Sequence, residues 1–89
     1  MTAEKIRSVV AMYHQALDEL NVPELSCPHD GTPDEFAALA HCHAMLDEID
    51  AFVGEGRLEK AFCWLGFVQG CLWTCGVYSI AELKDHNRP

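Results

Sequence analysis

Residues 39 to 73, LAHCHAMLDEIDAFVGEGRLEKAFCWLGFVQGCLW, decide the fold. Leu39, Cys42, Leu46, Ile49 and Val53 recur at 3-4-3-4 spacing, the apolar seam of a helix that packs on another helix at a shallow angle. Gly54 stands where a helix commonly stops, and Gly56 completes a turn so short that the chain must reverse. The residues that follow, about Arg57 to Cys75, are apolar nearly all round a helix and are expected to be buried on most sides. The stretch therefore predicts an antiparallel hairpin of two helices.

The flanks extend the same pattern. Thr32-Pro33-Asp34-Glu35 reads as a capping box with proline at the first helical position and opens the first arm of the hairpin. Upstream, Ile6, Val9, Val10, Tyr13, Leu17 and Leu20 fall at helical spacing from Ala3 to Leu20, with Thr2 placed to cap and Glu4 in the first turn. Asn21-Val22-Pro23 ends that helix, and Glu24 to Gly31 reads as a loop. Downstream, Ser79-Ile80-Ala81-Glu82 is a second capping box, opening a short helix that ends near Asn87-Arg88-Pro89. No segment alternates with period two, so strands are not expected. The expected fold is all-α: a single helical domain over residues 1–89, a small bundle of three main helices plus a short C-terminal one, with helices 2 and 3 an antiparallel hairpin.

Composition bounds what such a bundle can do. The chain has 89 residues, 49% of them hydrophobic, and a net charge of −8. At this length folding buries only about 64% of the unfolded surface, down to about 5,200 Å², so the core is thin and self-association is expected to thicken it. The charge is uneven. Residues 1–55 carry eleven carboxylates against Lys5 and Arg7, for −9, and residues 56–89 carry Glu59, Glu82 and Asp85 against Arg57, Lys60, Lys84 and Arg88, for +1. This distribution offers no basic footprint for a nucleic-acid polymer. It does leave a few cations at the C-terminal end for one small anion. Five cysteines, an odd number, follow a start that alternates charged and apolar residues, unlike a secretory leader, so a reducing cytoplasm is expected. Cys63, Cys71 and Cys75 read as small buried hydrophobes. Ala61 to Ala81 holds no charge over 21 residues, but Gly76, the Ser79 cap and Gln69 interrupt it, and membrane insertion is not the expected outcome.

The side chains suited to chemistry are few. Cys27-Pro28-His29 and His41-Cys42-His43 lack the paired spacing of zinc ligands, and adjacent helical residues diverge by about 100°, so no metal is expected. His43, Asp47 and Asp50 share one helix face, which reads as solvated surface, with His41 and His43 partly exposed around a core cysteine. No serine or cysteine sits in a nucleophile context and no phosphate loop or cofactor motif appears, so the chain is not read as an enzyme. Arg57, Lys60 and Trp64 fall on one side of the third helix near its start, where free backbone N–H groups also favour anions. Two cations beside an indole suit a phosphorylated, base-bearing ligand; the competing reading is salt bridges from these cations to the acidic second helix. Asn87 and Arg88 are expected as secondary ligand contacts. Gly66, Gly70 and Trp73 share a face with the spacing of close helix pairing, and Gln69 is expected to reach across an oligomer axis.

Glu55-Gly-Arg-Leu-Glu-Lys-Ala-Phe-Cys-Trp-Leu-Gly-Phe-Val-Gln-Gly-Cys-Leu-Trp, followed by Tyr78-Ser-Ile-Ala-Glu-Leu-Lys-Asp-His-Asn-Arg-Pro, resembles a family of short accessory proteins of tailed bacteriophages and prophages. The resemblance covers about residues 41 to 89 and brings no established activity with it. It implies a protein made in the cytoplasm of a bacterial host and dispensable for building the virion. By analogy with other small phage proteins, it points to blunting of host defence, either by sequestering a nucleotide signal in a homo-oligomer or by an acidic surface that occupies a host protein. A membrane-active phage protein is the third reading.

Overall fold

Thr2, Asp34 and Ser79 open three of the four helices, each accepting the backbone N–H three residues on at 3.1, 2.8 and 3.1 Å respectively. In the computed structural model, which describes residues 1–89, α1 spans Ala3–Glu19, α2 Glu35–Gly54, α3 Leu58–Thr74 and α4 Ile80–His86. The fold is all-α, and α2 and α3 form the hairpin. Around Ser79 the capping box is complete, because the Ser79 N–H also donates to Glu82 at 3.0 Å. Hydrogen bonding from the Ser79 backbone N–H, then from its side chain, holds the Glu82 carboxyl below its usual range. The start of α2 differs from the sequence expectation by two residues. Asp34, not Thr32, is the cap, because a carboxylate is the stronger partner for the positive end of a helix, and Pro33 is left outside.

Three helices end by the same device. Asn21, Gly56 and Gly76 have φ of 58°, 77° and 76°. In each case the N–H of that residue and of the next fold back onto carbonyls of the last turn: Val22 to Leu17 at 3.0 Å, Arg57 to Phe52 at 2.8 Å and Val77 to Leu72 at 2.8 Å. The stop of α2 is therefore Gly56. Gly54 is still helical, since only the left-handed residue can close the pair of bonds.

α2 lies between α1 and α3 and is buried along both sides. Ile6, Val9, Val10, Tyr13 and Leu17 of α1 and Ala61, Leu65, Val68 and Leu72 of α3 meet Leu39, Cys42, Met45, Leu46, Ile49 and Val53. The radius of gyration is 12.4 Å, close to the roughly 12 Å expected of a globular chain this long. Its accessible surface is 5453 Å². The loop between α1 and α2 is held to α2 as well: Val22 is buried, Leu25 N–H donates to the Ala40 carbonyl at 3.2 Å, and Cys27 N–H donates to Nδ1 of His41 at 2.9 Å.

α3 departs from its expected all-round burial. Only one face is covered, and Phe62, Phe67 and Trp73 are 46%, 58% and 51% exposed. Cys63 is exposed while Cys71 and Cys75 are half-buried, because too little chain remains to cover the far side of this helix. No helix is long and apolar enough to cross a membrane, since the charge-free run breaks at Gly76 and Ser79.

α4 is docked by polar groups. Gln69 Nε2 donates to the Tyr13 hydroxyl at 3.0 Å, and Gln69 and Asn87 exchange two amide hydrogen bonds at 2.7 and 3.0 Å. Nδ1 of His86 lies 2.9 Å from the same hydroxyl, and Tyr78 packs edge-on against His86 with centroids 4.8 Å apart. Gln69 thus does not point across an oligomer axis. Its partners come from α1 and the end of α4, and Asn87 is spent on it.

Two outcomes test this account. Alanine at Gly56 or Gly76 places a side chain in the left-handed region, and alanine at Asn21 removes the amide that tolerates it; each lowers unfolding free energy by about 1 kcal/mol in urea titrations. Burial pushes the Tyr13 hydroxyl up from 10.0 to about 12. The folded chain holds that proton more tightly than the unfolded one, so the stabilisation is intact below pH 10. It is lost as pH rises from 10 toward 12, at about 1.4 kcal/mol per pH unit. Tyr13→Phe is therefore expected to lose stability less steeply than the parent over that window; parallel slopes would contradict the buried hydroxyl.

Candidate functional site

Arg57, Lys60 and Trp64 do come together, around a residue that the sequence reading passed over. Phe52, in the last turn of α2, lies edge-on against Trp64 with ring centroids 4.9 Å apart. The Lys60 ammonium stands 4.7 Å from the Phe52 centroid and 5.8 Å from that of Trp64, and the Arg57 guanidinium lies 5.2 Å from Phe52. Phe52 and Arg57 occupy the two positions that meet across a left-handed helix stop, so the signal for Phe52 was the placement of Gly56.

The expected competition from salt bridges to α2 is slight. Arg57 approaches only Glu55, in the turn, at 3.6 Å, and both side chains are half exposed. Lys60 has no carboxylate within ion-pair distance. Arg57 also heads α3 with no side chain capping the first turn, which leaves backbone N–H groups beside the two cations. Trp64 in turn walls an open groove of about 450 Å³ that runs between the α1–α2 loop, α2 and α3, with Ser26, His29, His41, Phe67 and one carboxylate, Glu48.

Asn87 and Arg88 are elsewhere. Asn87 pairs with Gln69, twelve residues and so about 18 Å along α3 from Arg57. Arg88 pairs with Asp85 at 3.2 Å on the surface. The fold-back of α4 over α1 takes both away from the cluster.

A second constellation lies between α1 and α2. His43 is 1% exposed and not a surface histidine: Nδ1 faces the Val22 carbonyl at 2.9 Å and Nε2 faces Nδ1 of His14 at 3.0 Å. Nε2 of His14 meets Asp47 at 3.1 Å, and Nε2 of His43 lies 3.6 Å from Asp18. Asp50 is no part of this group. The pattern was present in the sequence as His14-x3-Asp18 and His43-x3-Asp47, one on each helix, with each histidine answering the other helix's aspartate. Glu24 joins from the loop. Its carboxyl is raised chiefly by a hydrogen bond with Asp47, and its ligand atom and those of His14 and His43 all lie within 4.8 Å of one another.

The cysteines offer no comparable site. Burial, then the neighbouring Cys71, holds the Cys42 thiol far above its usual range, and burial raises Cys75 as well, which disfavours thiolate at neutral pH. No protein-family model, curated protein or solved structure matches the chain.

Proposed function

We propose that this chain is a non-enzymatic phage accessory protein that counters host defence by binding and sequestering a small, anionic, nucleotide-like signal in a homo-oligomer. The observation that carries the reading is Lys60: an ammonium free of any carboxylate, set against Phe52 and Trp64 beside a second cation and an uncapped helix start. Arg57, Lys60 and those N–H groups supply charge for phosphate, and Trp64 supplies a face for a base. The resemblance of residues 41 to 89 to phage accessory proteins gives the setting, a bacterial cytoplasm.

Self-association rests on the uncovered side of α3. Gly66, Gly70 and Trp73 line an open apolar groove of about 460 Å³ with Phe67 and Thr74, and a Cβ added at either glycine meets nothing within 4 Å. Within one chain these glycines are only a cost of about 1 kcal/mol each in helix propensity. Across a pair of helices they allow close approach. The rival is an acidic face that occupies a host protein, and it keeps its carboxylates available, since Asp18 and Asp47 remain largely exposed although histidines approach them.

A panel of cyclic and linear nucleotides, followed by thermal shift and calorimetry, is expected to yield at least one ligand whose binding Lys60→Ala and Arg57→Ala each weaken by about tenfold or more. Indifference to the whole panel, or binding untouched by both variants, sinks the reading. Gly70→Leu is expected to leave the helical circular dichroism intact and to lower the mass measured by light scattering to that of one chain. A parent that is already monomeric at micromolar concentration rejects the oligomer.

A further inference from the structure

With Asp47 ionised, the hydrogen count between His14 and His43 does not close with two neutral rings. The Val22 carbonyl can only accept, so Nδ1 of His43 carries a hydrogen; the Asp47 carboxylate can only accept, so Nε2 of His14 carries the other. Each ring has then used its one N–H, and the two remaining nitrogens point lone pair to lone pair across 3.0 Å. Something positive must sit between them. A proton shared by the pair is one answer. A metal ion is the other, and the surroundings favour it.

Both rings have their far nitrogen fixed by an acceptor, one a backbone carbonyl and one a carboxylate, which is how ligating histidines are oriented and made more basic. The facing nitrogens lie 3.0 Å apart. Two imidazole nitrogens on one tetrahedral zinc stand about 3.4 Å apart, so a small opening admits the ion. Glu24 brings a carboxylate to the same spot, and Asp18 stands 3.6 Å from Nε2 of His43 with its side chain largely exposed. Two imidazoles with carboxylates suit a borderline divalent ion; magnesium and calcium prefer oxygen alone.

We infer that His14 Nδ1, His43 Nε2 and the Glu24 carboxylate form a binding site for a divalent transition metal of the zinc class, with Asp18 or water in the fourth position. The site is separate from the cluster at Arg57 and Lys60: it lies between α1 and α2 and ties the first residues of the connecting loop to both helices. It does not depend on the proposed nucleotide binding.

The test uses the whole chain, stripped of metal and kept reduced, titrated with zinc chloride alone by calorimetry. One equivalent is expected to bind and to raise the melting temperature. Glu24→Gln and His14→Ala, both at positions outside the apolar core, are each expected to weaken binding by at least about tenfold while circular dichroism shows them folded. Since five free cysteines also bind zinc, cobalt(II) is the second probe. Its spectrum is expected to show ligand-field bands that Glu24→Gln alters, and no thiolate charge-transfer band. Failure to bind one equivalent, binding unchanged in His14→Ala, or a thiolate band at stoichiometric cobalt overturns the site and leaves a shared proton in its place.

Discussion

Because α2 is covered on two sides, by α1 and by α3, each of its polar residues must find a partner inside the fold or reach the rim. Cys42, Leu46 and Ile49 are fully buried. His43, one residue past Cys42, turns toward α1 and is buried too, at a depth where an unpartnered imidazole costs about 1–3 kcal/mol. Val22 and His14 meet that imidazole, Asp18 stands 3.6 Å from it, and Asp47 answers His14 in turn. His41, on the other side of Cys42, turns to the loop and accepts from the Cys27 backbone. The divergence of three consecutive side chains, which rules out their sharing one ion, is the same geometry that lets α2 organise two neighbours and the loop at once.

How far the sequence carried follows from the range of each interaction. Helix starts are written within four residues: Thr2 answers Lys5, and Ser79 answers Glu82. The hairpin is legible because its seam and its stop are contiguous, although Gly54 and Gly56 offered two stops and only the left-handed conformation at Gly56 separates them. Gln69 and His43 were misplaced for the opposite reason. Gln69 meets Tyr13 across 56 positions and His43 meets His14 across 29, and hydrophobic periodicity has no symbol for a polar residue that is buried because a distant partner satisfies it. Asn87 went astray with Gln69, as one half of the same amide pair. The nearness of Arg57, Lys60 and Trp64 was legible because all three lie within about two turns of one helix.

The exposed side of α3 is where thin-core arithmetic and structure meet. A chain of this length was expected to keep about 5,200 Å² accessible, and it keeps 5453 Å². That surface is not evenly apolar. Phe62, Phe67 and Trp73 stand on one helix, each about half exposed, beside two glycines with open space where a Cβ would be. An aromatic side chain buries roughly 150–250 Å² when fully covered, so covering the remaining half of each contributes on the order of 2 kcal/mol. Three such residues on the uncovered side of one helix outweigh the helix propensity lost at Gly66 and Gly70 only if another surface covers them.

The charge asymmetry acquires a physical meaning once both clusters are placed. Residues 1–55 carry −9, and part of that charge converges on His14 and His43, whose nitrogens face one another across 3.0 Å. Residues 56–89 carry +1, and Arg57 and Lys60 of that segment are held by aromatic rings, with only Glu55 near enough to pair with either. Had the fold simply maximised ion pairing, the free lysine would have been drawn to an α2 carboxylate. It stacks on Phe52 with no carboxylate within ion-pair distance: Asp47 is turned toward α1, and Glu48 lines the groove beside Trp64 without pairing with the lysine. The acidic half satisfies its own histidines, and the cations at the hairpin turn are left with rings and uncapped N–H groups for company, an arrangement that an incoming anion improves.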